Sequence, residues 1–533
     1  MTSIASLIFC FFSICLVPLV LGQTVVIHGR VVNSDGQTAP RYLVIQDGIF
    51  QSIQSEKPKE LLENPAEKTG FIETTGYIYP GLIDLHAHLT YNILPVWEHP
   101  IGAFSNRFEW RQDENYKATL RPAYNALASK ETNFYNSLIL FDELQAVAGG
   151  TTLIQESKAL DVDEEQDEDP NEIMRLMVVR GTDFPSDLEL DHGRVISIID
   201  LFDYRVTMDP KPKKTLDYFA ALRQQNSIAA FLPHLAEGRT GYLRAQDPDA
   251  YSRKEFEAFM NHELFSDPQN TPKPPIALIH ASGMDTDNPQ HVAFLREWNM
   301  GIIWSPVSNL LLYGDTLNVD RLIEQGIPIA LGSDWSPSGS KHVLDEARMA
   351  RFYLNHVGSA IREAELFRMM TVNAARLIGH DRLGKIEEGY LADLFIIDDP
   401  QRKKSDAMET LFYSSTDNIR LVMIGGRAVY GDTAIIDALS DENRRPFFQL
   451  LPEAEGIADK LVFIDPRIRL NIQDTVEQIE NYLKENFGMK RSNTLSSRDN
   501  PYQERLKKLR SYIQNYFPEP KPDLKPEEAE EKK

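Results

Sequence analysis

Cysteine is nearly missing from this chain: there are two in 533 residues, Cys10 and Cys15. Both lie in the apolar amino-terminal stretch IASLIFCFFSICLVPLVLG, residues 4–22. If that stretch is removed, the mature chain has no disulfide, no thiolate nucleophile and no Cys-ligated metal. Basic residues are outnumbered by acidic ones, 56 to 79. With a net charge of -23, no surface could neutralise a run of phosphates, which excludes nucleic acid as a partner. There is no internal repeat. What remains, 42% hydrophobic and 25% charged residues, is ordinary for a globular protein.

The amino-terminal run carries no charge before Arg30 and ends in small residues. It resembles the h-region and cleavage site of a secretory signal peptide, with Val20 and Gly22 at the -3 and -1 positions. The expectation is a signal peptide over residues 1–22 and a secreted or periplasmic mature chain with no stable membrane association. The rival is an uncleaved anchor formed by residues 4–21, a run that approaches bilayer-spanning length. A chain of this length is too long for one ordinary core and predicts one large domain with additions, or two to three domains.

Residues 24–75 read as strand and turn: TVVIHGRVV, then NSDGQ, then RYLVIQDGIFQSIQ, with apolar alternation broken by Asp-Gly. A stretch of the same character recurs at 384–432. Between them, near-continuous aliphatic runs alternate with helical segments: YIYPGLIDLHAH, TTLIQES, IMRLMVVRG, RVISIIDLF, IAAFLPHLAEG, PIALIHASG, MGIIWSPVSN and IPIALGSDW. Eight such runs over about 300 residues predict an α/β fold, a TIM-like (β/α)8 barrel over 79–383. Residues 437–517 carry amphipathic helices and predict a helical extension. One helix is expected from Asn500 as N-cap with Pro501 at the first helical position. The Pro- and charge-rich tail, 518–533, predicts disorder. The acidic run DVDEEQDEDPNE, 161–172, lacks the Gly and spacing of a calcium loop and reads as a solvated barrel loop.

Polar residues cluster where these runs end. His86 and His88, two apart, point the same way on a strand. FLPHLAEG offers His234 with Glu237 three residues on, ALIHASG offers His280, and ALGSDWSP offers Asp334. A polar side chain at the end of an aliphatic run is costly if it merely faces the core. One such group has an ordinary reading as a hydrogen-bonded buried residue; five at matching barrel positions do not. Trp304, Trp335, Tyr91 and Trp97 sit near strand ends, where they could line a pocket or pack under long loops. Arg239 could meet an anionic substrate or form a surface ion pair.

The motifs PGLIDLHAH, HLAEG, IHASGMD, WSPVSNL, LGSDWS and TVNAARLIG…LGKIEEGYLADLFIID resemble the amidohydrolase superfamily of metal-dependent hydrolases, in its cytosine-deaminase and chlorohydrolase-like branch. The resemblance covers roughly residues 24–435. It implies a composite β-sandwich from the flanking segments 23–78 and 384–436, packed beside the barrel. It further implies His86, His88, His234 and Asp334 as metal ligands, His280 near the metal and hydrogen-bonding the substrate, and Glu237 as proton shuttle. Asn309, in the strand-7 pattern, joins Trp304, Trp335 and Tyr91 as a candidate substrate contact.

Three neutral imidazoles and a carboxylate suit one divalent ion, Zn²⁺ first, with Fe²⁺ or Mn²⁺ as alternatives. The strand-4 segment RVISIIDLF has no lysine to bridge a second metal, although Asp200 is present. The sequence departs from its relatives at Leu232, where a histidine is common, at Ser305 in place of Cys, and at Trp335 in place of a small residue. These departures weaken nucleobase deamination and leave hydrolysis at a carbon centre intact. The expected activity is hydrolysis of a non-peptide C–N bond in a small molecule: a cyclic amide, an amidine or an aminated heterocycle. Two alternatives stay open: a prolidase-like metallopeptidase or amidase, and an inactive secreted barrel acting as a binding module. A homo-oligomer is compatible with either.

Overall fold

The computed structural model describes residues 24–59, 69–129, 134–155, 178–182, 194–203, 211–212, 214–242, 248–266, 273–440, 442–465, 470–491, 494–496 and 500–517. The expected signal peptide, the acidic run at 161–172 and the tail at 518–533 lie outside the described residues. The first four strands are β1 (Thr24–Val32), β2 (Thr38–Gln46), β3 (Ile49–Gln54) and β4 (Thr69–Pro80). Next come β5 (Leu82–Asp84), β6 (Thr151–Ile154), β7 (Arg180–Gly181), β8 (Arg194–Ile198) and a small hairpin, β9 (Phe202–Asp203) with β10 (Lys211–Pro212). The chain continues through β11 (Ile228–Leu235), β12 (Ile276–His280), β13 (Met300–Trp304) and β14 (Ile329–Leu331). It then returns through β15 (Leu394–Ile397), β16 (Ile419–Ile424), β17 (Arg427–Asp432), β18 (Phe448–Leu450) and β19 (Lys460–Phe463).

The flanking segments meet in one sheet of nine strands, ordered β18-β19-β17-β16-β15-β4-β1-β2-β3. All neighbours are antiparallel except β1 with β4. The Asp47-Gly48 turn joining β2 to β3 has positive φ at both residues (52° and 81°), the tight two-residue hairpin that Asp-Gly favours. The expected sandwich is thus a single hydrogen-bonded sheet whose ends share one core. Leu43, Ile45 and Phe50 from one end cluster with Ala428, Phe448 and Leu461 from the other. Side-chain alternation gives β15 two roles: Leu394 and Ile396 enter this core, while Phe395 and Ile397 join the core shared with the barrel helices.

The C-terminal extension is not wholly helical. Its β18 and β19 complete the sheet through β17 before the helices Ile472–Phe487 and Asn500–Tyr516 begin. Strands of three and four residues are too short to show a period against neighbouring amphipathic helices.

The barrel strands form two parallel ladders, β5-β6-β7 and β8-β11-β12-β13-β14. A parallel bridge between Ala87 and Asp334 joins the carboxyl ends of β5 and β14, so the last strand meets the first. The strands follow one another in chain order, as in a TIM-like barrel. Gly332 makes the seam close: a Cβ there would stand 2.3 Å from the Cβ of His86. Among the described residues no helix is long and apolar enough to cross a membrane.

Candidate metal and catalytic site

At that seam the chain leaves its strands abruptly. Ala236, His280 and Asp334 take left-handed φ values of 55°, 66° and 61°, unusual for residues with a Cβ. Such conformations cost on the order of 1 kcal/mol or more each and persist only where the surroundings impose them. Here they turn His280 and Asp334 toward His86. The Asp84 carboxylate braces the turn from below, its Oδ1 accepting the backbone N–H groups of His86 (3.2 Å) and Ser333 (3.0 Å). Burial raises the Asp84 pKa to about 6 against those hydrogen bonds.

His86 Nε2 is the common vertex of the cluster. It lies 3.1 Å from His234 Nε2, 3.3 Å from His88 Nε2 and 3.5 Å from Asp334 Oδ1, and His88 Nε2 is 3.3 Å from the same oxygen. The donors form two overlapping triads that share His86: one with His234 and His280, the other with His88 and Asp334. Burial, reinforced by neighbouring imidazoles, holds the pKa values of His86 and His234 well below the usual histidine range. Burial pushes the Asp334 pKa up. The hydrogen bond and charge of His88, with the charge of His280, outweigh it and leave Asp334 an acid stronger than usual.

Three imidazole nitrogens and a carboxylate oxygen thus crowd against one another and compete for the same space. A cation resolves that conflict. Ligands about 2.0–2.1 Å from a tetrahedral zinc stand roughly 3.3 Å apart, the separation found within the His86–His88–Asp334 triad and between His86 and His234, which groups with His86 and His280 and not with that triad. A second partner fixes the tautomer of His234. His234 Nδ1 donates to the Ile198 carbonyl at 3.1 Å, which leaves its Nε2 lone pair inward, and His86 Nδ1 is held by Ser305 Oγ at 2.8 Å.

His280 is set differently. Asn309 Nδ2 donates to its Nδ1 (3.2 Å), so Nε2 carries the proton, 3.7 Å from Glu237 Oε2. Glu237 is buried and its other oxygen accepts a short hydrogen bond from the Tyr313 hydroxyl, itself contacted by Trp110 Nε1 at 3.1 Å. Burial and the adjacent carboxylate raise the Tyr313 pKa well above 10, so the phenol stays a donor. The Glu237 loop is fixed from behind: Ala236 N–H donates to Glu255 (2.9 Å), which pairs with the fully buried Arg107 (3.0 Å).

Tyr91 stands beside His88 (ring centroids 6.4 Å) and Trp335 lies perpendicular to it at 5.3 Å. Tyr124 stacks on Tyr91 at 3.8 Å and Trp110 on Trp335 at 5.3 Å, giving a two-layer aromatic wall. Trp304 is not part of it. Its strand position turns it toward the helix Val343–His356, where the ring packs on Tyr353 and Nε1 donates to Thr316. Arg239 binds the Phe104 carbonyl (3.2 Å). Asp200 pairs with Arg111 (3.1 Å) and Arg107 (3.5 Å). Tyr313, Trp110 and Arg107 carried no signal in the sequence, and Ser305 stood out only as a departure from the family pattern. Each lies in an apolar or loop segment whose approach to the site depends on the path of the chain.

Residues 255–429 match the amidohydrolase family profile. The 5-methylthioadenosine/S-adenosylhomocysteine deaminase of Halothermothrix orenii is 29% identical over 152 residues, 27% of this chain and 35% of that protein. Its counterpart from Thermoanaerobacter pseudethanolicus is 24% identical over 332 residues, 60% of this chain and 72% of its own. The chain therefore spans about a third of the first relative's length and more of the second's. Among solved structures, a zinc-bound adenosine deaminase from Xanthomonas campestris superposes with TM-score 0.55 at 14% identity, over 86% of this chain and 98% of that one. A zinc- and atraton-bound mutant of the atrazine chlorohydrolase of Arthrobacter aurescens gives 0.53 at 15% identity, over 76% and 95%. At these identities the likeness to solved structures is one of fold.

Proposed function

The chain belongs to the amidohydrolase superfamily, and on that premise we propose that it hydrolyses a non-peptide C–N bond of a small molecule, releasing ammonia from an aminated ring or amidine. The observation that carries this reading is the Glu237 carboxylate, held between the Tyr313 hydroxyl and the protonated nitrogen of His280 at the edge of the histidine cluster. This geometry supports reading Glu237 as a proton carrier and His280 as a hydrogen-bond donor to one reacting position. The relatives described above are named as deaminases, which favours ammonia release over cleavage of a linear amide. The departure at Ser305 does not count against it, because its hydroxyl holds His86 in place.

His86, His88, His234 and Asp334 would hold one divalent ion, zinc by the donor set and by the two zinc-bound neighbours. The commitment of Asp200 to arginines supports one ion over two. When bound, the ion supplies Lewis acidity that lowers the pKa of a water toward ~7. Asp334 would accept one proton of the attacking water. His280 Nε2–H hydrogen-bonds the atom that gains electron density, with Asn309 fixing its tautomer. Glu237, a carboxylate at rest, would take the other proton of the attacking water and pass it to the departing nitrogen, a step worth about 10²–10⁴-fold. Tyr91 and Trp335 offer a flat apolar wall for a planar ring. Removal of residues 1–22 would deliver this enzyme outside the cytoplasm.

The test is a screen for ammonia release on 5′-methylthioadenosine, S-adenosylhomocysteine, 5′-deoxyadenosine, aminotriazines and cyclic amides, with bound metal measured by mass spectrometry. Glu237→Gln is expected to keep its zinc and lose at least about a hundredfold in kcat. Near-wild-type turnover in that variant would refute the shuttle, and a zinc-free wild type after reconstitution would refute the reading.

A further inference from the structure

The loop after β14 carries Asp334 and Trp335, yet it is held by a residue 170 positions further along the chain. We propose that Arg505, on the C-terminal helix Asn500–Tyr516, is a positioning residue for the barrel site: it fixes the loop at 335–340 and so sets where Asp334 and Trp335 stand. This rests on the function proposed above.

Arg505 is buried, and its hydrogen bonds in this loop go to backbone carbonyls. Nη1 donates to Ser336 O (2.6 Å) and Pro337 O (2.8 Å), and Nη2 donates to Gly339 O. Three carbonyls of one short loop converge on a planar fork that a lysine ammonium, a single point of charge, cannot reproduce. The loop has no secondary structure of its own to hold it. The barrel side grips it through Asn92, whose Oδ1 accepts Ser336 N–H (2.7 Å), and through Trp97 N–H on the Pro337 carbonyl (2.8 Å).

The loop also folds tightly on itself. Ser340 N–H returns to Ser333 O at 2.9 Å, and a Cβ at Gly339 would stand 2.5 Å from that same oxygen. Just beyond, Lys341 reaches in the opposite direction, donating to Thr494 O (2.7 Å) and Ser496 O (2.6 Å) of the extension. The extension and the strand-8 loop are therefore interlocked in both directions. The neighbouring aromatic wall, Trp335 against Trp110 and Tyr91, is registered by this lock.

A purely structural anchor would behave differently, and the same helix supplies the control: Tyr512 donates to Gly314 O (3.3 Å), on a different loop. Full-length zinc-loaded wild type, Arg505→Lys and Tyr512→Phe are compared by hydrogen–deuterium exchange over 333–341, by the rate of zinc loss to excess EDTA, and by kcat and KM on whichever screened compound the wild type turns over. Arg505→Lys is expected to exchange about tenfold faster in that loop and to release zinc several-fold faster. Its KM should rise about tenfold with kcat within about threefold, and Tyr512→Phe should match wild type on all counts. If Arg505→Lys does not fold, Gly339→Ala displaces the same loop from within and should give the same pattern. Wild-type exchange and zinc release in the folded loop variant, or equal changes in Tyr512→Phe, overturn the proposal. Exchange is read without substrate, so a wild type that turns over nothing refutes the function and leaves the lock still decided.

Discussion

Buried charges are handled in opposite ways at the barrel mouth and along the flanking sheet. Where barrel and sheet meet, Arg180 forms two hydrogen bonds with Asp393 (2.8 and 3.1 Å), and Asp393 also accepts Gly425 N–H. Within the sheet Lys460 is paired with Asp432, and in the extension Arg491 lies between Glu455 (2.6 Å) and Glu480 (2.7 Å). Each buried cation there meets an anion, which offsets the desolvation that would otherwise be prohibitive. At the mouth, imidazole faces imidazole at 3.1 and 3.3 Å, on backbone turned into the left-handed region. Local frustration of this kind is kept where a ligand relieves it.

Removing a group should therefore have opposite consequences in the two regions. His234→Ala is expected to drop bound zinc from about one equivalent to near none and turnover by at least about 10⁴-fold. The zinc-free protein should melt no lower than the zinc-free wild type; a large loss of apo stability would show that the imidazoles already satisfy one another. Asp393→Ala removes the carboxylate to which the buried Arg180 donates two hydrogen bonds, and should cost about 3–5 kcal/mol in denaturant unfolding with zinc stoichiometry unchanged. A loss below about 1 kcal/mol would erase the contrast.

Tyr313→Phe removes the hydroxyl that orients Glu237 and should lower kcat about tenfold, with zinc and KM little changed. An unaffected kcat would mean that the short contact has no catalytic part.

The smallest effect concerns His342, whose pKa burial lowers to about 4 against the opposing pull of Asp345. The folded pKa lies below the unfolded value near 6.5. This contribution is therefore complete above about pH 6.5 and is lost as pH falls toward 4. The melting temperature of wild type should decline over that window and that of His342→Asn should decline less steeply. Asn can keep the N-cap bond that His342 accepts from Asp345 N–H. Equal slopes would remove His342 from the account.

Much of the site was legible because its chemistry forces unusual residues onto aliphatic strands. His86, His88, His234, His280 and Asp334 each end a run where a polar side chain has no ordinary use, and Glu237 follows one by three positions. All six meet at one place. The groups behind them were not legible. Tyr313 ends the apolar helix Pro306–Tyr313, and nothing in PVSNLLLY marks its hydroxyl as a partner for a carboxylate. Trp304 shows the opposite error: its position beside a motif resembled a pocket wall, but strand alternation sends it to the helix layer. The strands β18 and β19 were read as part of a helical region because each is too short to carry a period of its own.

By itself the sequence determined the alternation of strands and helices, the hairpin at Asp47-Gly48 and the six polar side chains at strand ends. These follow from hydrophobic period and turn chemistry, which act between near neighbours. Only the tertiary structure decided which oxygen holds which histidine, that Glu237 meets Tyr313, and that Arg505 grips the loop beside Asp334. Those contacts join residues 36 to 219 positions apart. The physical reason is directional: a hydrogen bond exists only within a few tenths of an ångström and a limited angle, and the packing of the whole barrel fixes both.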